Sequence, residues 1–387
     1  MLEGLDQVDW AALTHAYGSA SDVPQWLRAL RSPDPEVRQW AQEDWNIVHQ
    51  GTRYTATAPA VPFLVELALA PDTPDRHWLV ELLTFAAIGY DATSLPDGIV
   101  EATLDQLART TLTPDPEIDD PATDYPGWAL AAYQAVQAAV PSLLGLLDDH
   151  DVRLRRATAH LLAWFPHWAP ASLPLLRARL GAEPDLDAKA TVVVAVGLLA
   201  GGRGETGDRP RLEALLGDAD AVVRWAAAVA LARLFPQAPP ERAVAELLGW
   251  LTGVTTAGRR PAIVFPQPEW YAMVVVRAVP ALRERAAAEA ILARLPALSG
   301  QAADSLVGNL IGLAFKAERP QREVAFTDLP PLQQRVLRAL LEMPGLWRAD
   351  DGLLSPLGSL LIDWVLSSPG PCTLEELREQ LRAYVDA

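Results

Sequence analysis

Asp220-Ala-Val-Val-Arg-Trp-Ala-Ala-Ala-Val-Ala-Leu-Ala-Arg-Leu-Phe235, DAVVRWAAAVALARLF, is the stretch that decides the fold. Its aspartate can accept backbone N–H bonds, which suits a turn or the cap of a helix. Arg224 follows one helical turn later, and small and apolar residues then recur at helical period. The same D-x-x-V-R frame stands at Asp34–Arg38 and Asp149–Arg153, while Asp72/Arg76 and Asp185/Lys189 keep its charged ends and spacing.

A second signal precedes these turns. After Pro24, Pro62 and Pro141, apolar residues stand two, three, five and six positions on: Trp26, Leu27, Ala29, Leu30; Leu64, Val65, Leu67, Ala68; Leu143, Leu144, Leu146, Leu147. That spacing is one apolar helix face, and proline is tolerated in a first helical turn. Leu173-Pro174 and Arg209-Pro210 open weaker copies. The unit is helix, turn with Asp, helix, repeated at about 33–40 residues, within the range of helical repeat architectures.

This unit resembles the HEAT repeat, through the first-helix proline, the D-x-x-V-R turn and the Ala-rich second helix. The resemblance covers about residues 22 to 317 and implies an all-α, right-handed superhelical α-solenoid. It also implies that Asp34, Arg38, Asp149, Arg153, Asp220 and Arg224 form a structural hydrogen-bonded ladder between repeats. The expected division is an N-terminal cap (1–21), about eight helix pairs (22–317) and a divergent helical C-terminal cap (318–387) that closes the open end of the core. The units run 22–48, 59–90, 97–138, 139–166, 171–200, 208–236, 239–280 and 281–317, and long loops at 113–127 and 253–268 split the third and seventh. DWAALTHAYG (9–18), NIVHQGTRYTATAPAVPFL (46–64) and RVLRALL (335–341) are similar to segments of a group of bacterial HEAT-repeat proteins that carry no assigned activity.

Bulk composition narrows the function classes. The chain has 387 residues, half of them hydrophobic, so a large core can form. Cys372 is the one cysteine, which rules out a disulfide framework and Cys/His zinc patterns. The acidic start, MLEGLDQVDWAAL, lacks a signal-peptide pattern, and the longest apolar run, Val192–Ala200, is far short of a membrane span. A cytoplasmic protein is expected. The net charge of −17 is uneven: residues 1–130 hold 21 acids and 6 bases. That field repels nucleic acid and attracts basic partners.

The segment HQGTRYTATAPAVPF (49–63) is longer than an inter-repeat turn requires. Gly51 permits a backbone conformation closed to other residues, and Thr55 or Thr57 can cap the next helix. Asn46, His49, Gln50, Arg53 and Tyr54 are left over from turn-making. They form either a polar binding site at a repeat edge or a connector that satisfies backbone groups and pins the first repeat to the second. Arg153, Arg155, Arg156 and Arg177, with Arg179, are candidates for a basic strip on the concave surface. DDHD (148–151) has the look of a metal site, but its aspartate already serves the repeat turn. GLLAGGRGETG (197–207) reads as a flexible turn after a helix rather than a phosphate cradle. No nucleophile elbow, HExxH or GxGxxG occurs, so no catalytic residue, metal or cofactor is assigned. Thirteen tryptophans mainly fill core, and some can anchor a partner.

The expected function is a protein-interaction scaffold that binds a protein or peptide, of basic character, on the concave surface without chemistry. The alternative is a HEAT-fold enzyme or nucleic-acid-binding protein such as an alkylpurine DNA glycosylase, which the net charge disfavours. A lyase or chaperone for a tetrapyrrole has only fold analogy behind it.

Overall fold

Aspartates start the helices. Asp34, Asp151, Asp185 and Asp220 each stand in extended backbone, and their carboxylates accept from Glu36, Arg153, Ala188 and Val222 N–H at 2.9 Å. Each cap satisfies a donor the helix cannot, worth about 1 kcal/mol. The computed structural model describes residues 2–89, 126–256, 286–295, 301–315, 324–343 and 373–386, with Trp347 and a few single positions between 258 and 276. The described residues are all-α apart from two hairpins of two-residue strands, and the chain divides into two compact units: Met1–Phe235 with Ala257–Tyr271, and Pro236–Thr256 with Ala272–Ala387.

The first unit opens with hairpin β1 (Thr14–His15) and β2 (Gly18–Ser19), then α1 (Val23–Ala29) and α2 (Pro35–Glu43). Hairpin β3 (Val48–His49) and β4 (Thr52–Arg53) leads to α3 (Thr57–Leu69) and α4 (Arg76–Ile88). After the gap come α5 (Pro126–Leu143), a 3₁₀ turn at Leu144–Asp148, and α6 (Val152–Leu162). Then follow α7 (Ala169–Ala182), α8 (Leu186–Gly202), α9 (Arg209–Leu215) and α10 (Ala221–Leu234). Second helices pack in order, α4 on α6, α6 on α8 and α8 on α10, while α3, α7 and α9 pack on α4, α8 and α10.

Apolar helix faces form the core. Along α8, Ala188 and the run from Ala190 to Ala200 are buried, as befits a helix apolar on all sides. The glycine-rich stretch expected as a turn belongs to this helix as far as Gly202. A Cβ on Gly197 would lie 2.5 Å from Ala230 Cα, so glycine here lets α8 and α10 approach backbone to backbone. Among the described residues, one helix, Gly127–Asp148, is long and apolar enough to cross a membrane by length and composition. Its α5 portion packs against α3 and α4. α5 also runs straight through the boundary expected at residues 138–139, because WALAAYQAVQAAV contains no breaker.

Two local expectations are corrected. Pro24 and Pro210 do open helices, but Pro62, Pro141 and Pro174 lie inside α3, α5 and α7. The preceding residues are good helix formers, so each helix starts earlier and accepts the loss of one N–H donor. In the fourth unit the frame is shifted by two residues. Asp151, not Asp149, is the cap, and the base four positions on is Arg155, not Arg153.

With that register a common link emerges. Arg38, Arg155 and Arg224, each four residues after a cap, donate to the carbonyls one and two residues before that cap. Two residues before three of the caps stands an acid (Asp149, Glu183, Asp218) that accepts the cap's own N–H at 3.0, 3.1 and 2.9 Å. Each acid also takes a base from the preceding helix pair: Arg76 to Asp149 at 2.8 Å, Arg155 to Glu183 at 2.8 Å and Lys189 to Asp218 at 2.9 Å. At the first step Arg38 reaches Asp75 at 2.9 Å. Burial pushes the Glu183 carboxyl up, but Arg155, the Asp185 N–H and Arg179 outweigh it and hold Glu183 below the usual range.

The second unit contains α11 (Glu241–Leu251), α12 (Ala286–Arg294), α13 (Gln301–Phe315), α14 (Pro331–Leu341) and α15 (Leu374–Asp386). α11 packs on α12, α12 on α13, α13 on α14, and α14 on α15. A capping box starts α15: Thr373 N–H donates to Glu376 at 2.7 Å, and Glu376 N–H to Thr373 Oγ1 at 3.2 Å. Residues 113–125 of the expected 113–127 loop, half of 253–268, and Cys372 lie outside the described residues, while 126 and 127 already belong to α5.

Candidate functional site

The segment between the first two helix pairs is a hairpin. α2 ends at Glu43, not near Val48, and α3 starts at Thr57. Val48 faces Arg53 and His49 faces Thr52 across an antiparallel pair. The two central residues, Gln50 (φ 50°) and Gly51 (φ 85°), are both left-handed, which matches the right-handed twist of the strands.

Most of the candidate polar residues hold this hairpin in place. Arg53 Nη1 donates to Gly51 O at 2.8 Å, and the pair abuts Gly89 at the end of α4, where a Cβ would overlap the guanidinium and sit 2.6 Å from Gly51 O. Tyr54 is buried, and its N–H donates to Thr57 Oγ1 at 2.8 Å. Thr57 Oγ1 in turn donates to Ile47 O at 2.5 Å. Thr55 Oγ1 accepts the Thr14 N–H at 2.7 Å, so neither threonine caps α3 with its hydroxyl. Asn46 O accepts the Ala16 N–H at 3.1 Å, and His49 packs edge-on against exposed Tyr17 with centroids 5.4 Å apart. Asn46 and Tyr54 make these hydrogen bonds through their backbone, and Arg53 through its guanidinium. Gln50 and Gly51 have a second role.

Those two residues form one wall of a cleft of about 320 Å³. Gln42, Trp45 and Val48 continue it, and the opposite wall is Trp78, Glu81, Leu82 and Phe85. Positions 78, 81, 82 and 85 share one face of α4. Trp45 is held by stacking on buried Trp26 (5.1 Å, 7°) and meets Trp78 edge to face (5.6 Å, 80°). Phe85 is 45% exposed. Gln42 Nε2 reaches Asp75 at 3.5 Å, which ties α2 to the start of α4. A volume of this size lies at the lower end of small-ligand sites.

Glu81 is the one acid on the cleft wall. Burial pushes its carboxyl above the usual range, opposed at a distance by His160, Arg156 and Arg153 of α6. It has no hydrogen bond or ion pair among the described residues. One turn back, burial and Arg153 lower His77, partly offset by Asp151 and Asp75. Sequence reading missed Trp78, Glu81 and Phe85. Their signal is an acid inside the apolar run WLVELLTF, flanked by aromatic residues three before and four after.

The expected basic strip does not assemble. Arg155 is spent on buried Glu183, and Arg177 on Asp208 (2.7 Å) and Glu205 (3.0 Å). Exposed Arg153 folds back onto Asp151 at 3.0 Å, while Arg179 reaches Glu183 at 3.1 Å and Asp148 at 3.5 Å. A base one turn from a cap finds nearby carboxylates before it reaches solvent. Arg156 and Arg179 each keep a buried Nε with no hydrogen-bond acceptor among the described residues, although Arg179 Nε lies within ion-pair distance of Glu183. His150 is 95% exposed beside Asp149, and no group of three or more His, Cys, Asp or Glu able to hold a metal occurs among the described residues.

Comparison with known proteins adds little. No family model and no curated protein matches the chain. Among solved structures it is similar to the crystal structure of an engineered protein, at 15% identity over 95% of this chain and 99% of that one. The TM-score is 0.30, too low to carry an argument about fold or function.

Proposed function

We propose that this chain is a HEAT-like α-solenoid acting as a cytoplasmic protein-interaction scaffold, which binds a basic protein or peptide segment on the face of its second helices. The repeated link of acid, cap and base supports the solenoid reading. It recurs at caps Asp151, Asp185 and Asp220, 34 and 35 residues apart, with second helices packed in sequence. Such stacking produces extended binding surfaces.

The observation that carries the binding reading is the cleft between Trp45 and Phe85 on α4. Aromatic side chains at a cleft mouth are the usual anchors of protein recognition. The surrounding sequence is strongly acidic, with 21 acids against 6 bases in residues 1–130. Two of the candidate strip arginines, Arg155 and Arg177, pair with acids of this chain, which weighs against the nucleic-acid alternative.

The test is binding of the full chain to arrays of basic, acidic and neutral twelve-residue peptides, compared with a Trp78→Ala/Phe85→Ala variant of equal melting temperature. Retention on basic peptides that the variant loses supports the scaffold. Equal retention on all three arrays, or on the acidic one alone, overturns it.

A further inference from the structure

We propose that the cleft of Trp45, Trp78 and Phe85 is a cation pocket, which accepts one lysine or arginine side chain of the partner segment and pairs it with the Glu81 carboxylate. This inference rests on the scaffold reading and names the chemistry of its site.

Four observations converge. First, Glu81 lies on the cleft wall without a hydrogen bond or ion pair among the described residues. A half-buried carboxylate without a partner is costly, and an arriving cation relieves that cost. Second, aromatic residues flank it. Trp78 and Phe85 stand one turn before and one turn after on α4, with Trp45 across the cleft. Aromatic faces attract cations, most strongly where water is partly excluded. Third, the cleft volume of about 320 Å³ suits a single extended side chain rather than a helix or a folded ligand. The amides of Gln42 and Gln50 on the same wall can accept hydrogen bonds from an ammonium or guanidinium. Fourth, the long-range field of this part of the chain draws in positive charge.

The groups facing Glu81 set the pH response. His77 shares its helix; Arg153, Arg156 and His160 face it from α6, and Asp75 and Asp151 lie beside His77. The cations act only through space and do not overcome burial, so Glu81 takes up its proton at a higher pH than an ordinary glutamate. Cation binding therefore weakens on acidification earlier than an exposed carboxylate would dictate.

The experiment is isothermal titration calorimetry of the full chain with blocked Gly-Gly-X-Gly-Gly peptides, where X is lysine, arginine, norleucine or glutamate. Lysine or arginine is expected to bind about tenfold or more tightly than norleucine, the contribution of a desolvated cation–π contact with a counter-charge. Glu81→Gln should remove that advantage and the pH dependence between pH 8 and pH 5. Phe85→Ala, at a half-exposed ring, should weaken lysine and arginine binding while the norleucine affinity changes less. Norleucine binding as well as lysine overturns the cation pocket, as does tighter binding of glutamate or no binding by any peptide at millimolar concentration. If the basic arrays are still retained in those cases, the scaffold survives and this inference alone fails. If the arrays are also not retained, both fail.

Discussion

Replacing Arg155 with methionine tests the link that joins successive helix pairs. The Arg155 side chain is 10% exposed and that of Glu183 is fully buried. Nε and Nη2 of Arg155 hold the two carboxylate oxygens at 2.9 and 2.8 Å, while Nη1 holds the carbonyls of Asp149 and His150 at 2.9 and 3.0 Å. Breaking a buried ion pair costs about 3–5 kcal/mol because the surviving charge stays behind. Arg179 remains 3.1 Å from Glu183, so the expected loss is at the low end, about 3 kcal/mol. Acidity supplies an internal check. With Arg155 present, Glu183 is depressed, so its stabilisation is complete above the unfolded value of about 4.3 and is lost as pH falls through the folded value. Without Arg155, burial dominates and raises Glu183, so protonation relieves the variant as pH falls. The gap between the two proteins must therefore shrink from pH 7.5 to pH 5. Urea titration followed by circular dichroism measures it, with equal slopes confirming a common unfolding reaction. A loss under about 1 kcal/mol, or a gap that widens on acidification, refutes the link. An Arg155→Met/Glu183→Met double variant should regain more than half of the loss, because no unpaired charge remains.

The other expected outcomes concern packing and the cleft. Gly197→Ala gains about 1 kcal/mol of helix propensity, but its methyl group meets the α10 backbone at 2.5 Å, so a net loss of about 1–2 kcal/mol is expected. Gly181→Ala meets only the flexible tip of Arg211 at 3.3 Å and should be neutral or stabilising in the same urea assay. Gly89→Ala, at φ 65° and against Arg53 and Gly51, should cost more than Gly51→Ala, whose left-handed strain alone is about 1–2 kcal/mol. Hydrogen exchange of the Thr52–Tyr54 amides should accelerate in the Gly89 variant, and unchanged exchange would mean that the hairpin does not depend on α4. Glu81→Gln should raise the melting temperature at pH 7. Burial raises the folded value of Glu81, so the ionised form destabilises at neutral pH and the wild type gains stability on acidification. A melting temperature that falls would show Glu81 to be a structural partner instead.

Helices were legible where the sequence carried both a cap and a period, as in Asp220–Phe235. The same frame misled at DDHDVRLRR, where acids two residues apart both precede a base by four. Asp151 takes the cap, while Asp149 accepts the Asp151 N–H and a bond from Arg76, 73 residues away, a contact no local pattern reveals. The hairpin at Val48–Arg53 was invisible because two-residue strands show no alternation. Gln50-Gly51 also lacks the Asn or Asp that usually marks a two-residue turn. Of the candidate site, Gln50 was legible only as a loop residue whose type suggests no turn role, although the structure makes it a central turn residue. Trp78, Glu81 and Phe85 were not, since an aromatic face on a helix reads as core until its neighbours are known to leave it open.

The link described between caps also bears on how such a chain can change length. Position by position it is interchangeable: an acid two residues before the cap receives a base four residues after the previous one. Removing residues 186–220 would join Asp185 directly to Ala221, leaving Glu183 before the cap and bringing Arg224 into the place of Lys189. No acid loses its base and no cap loses its helix. A deletion or duplication in whole steps thus keeps this link closed, and the charge that this deletion strands lies outside the link: Arg177 loses both Glu205 and Asp208.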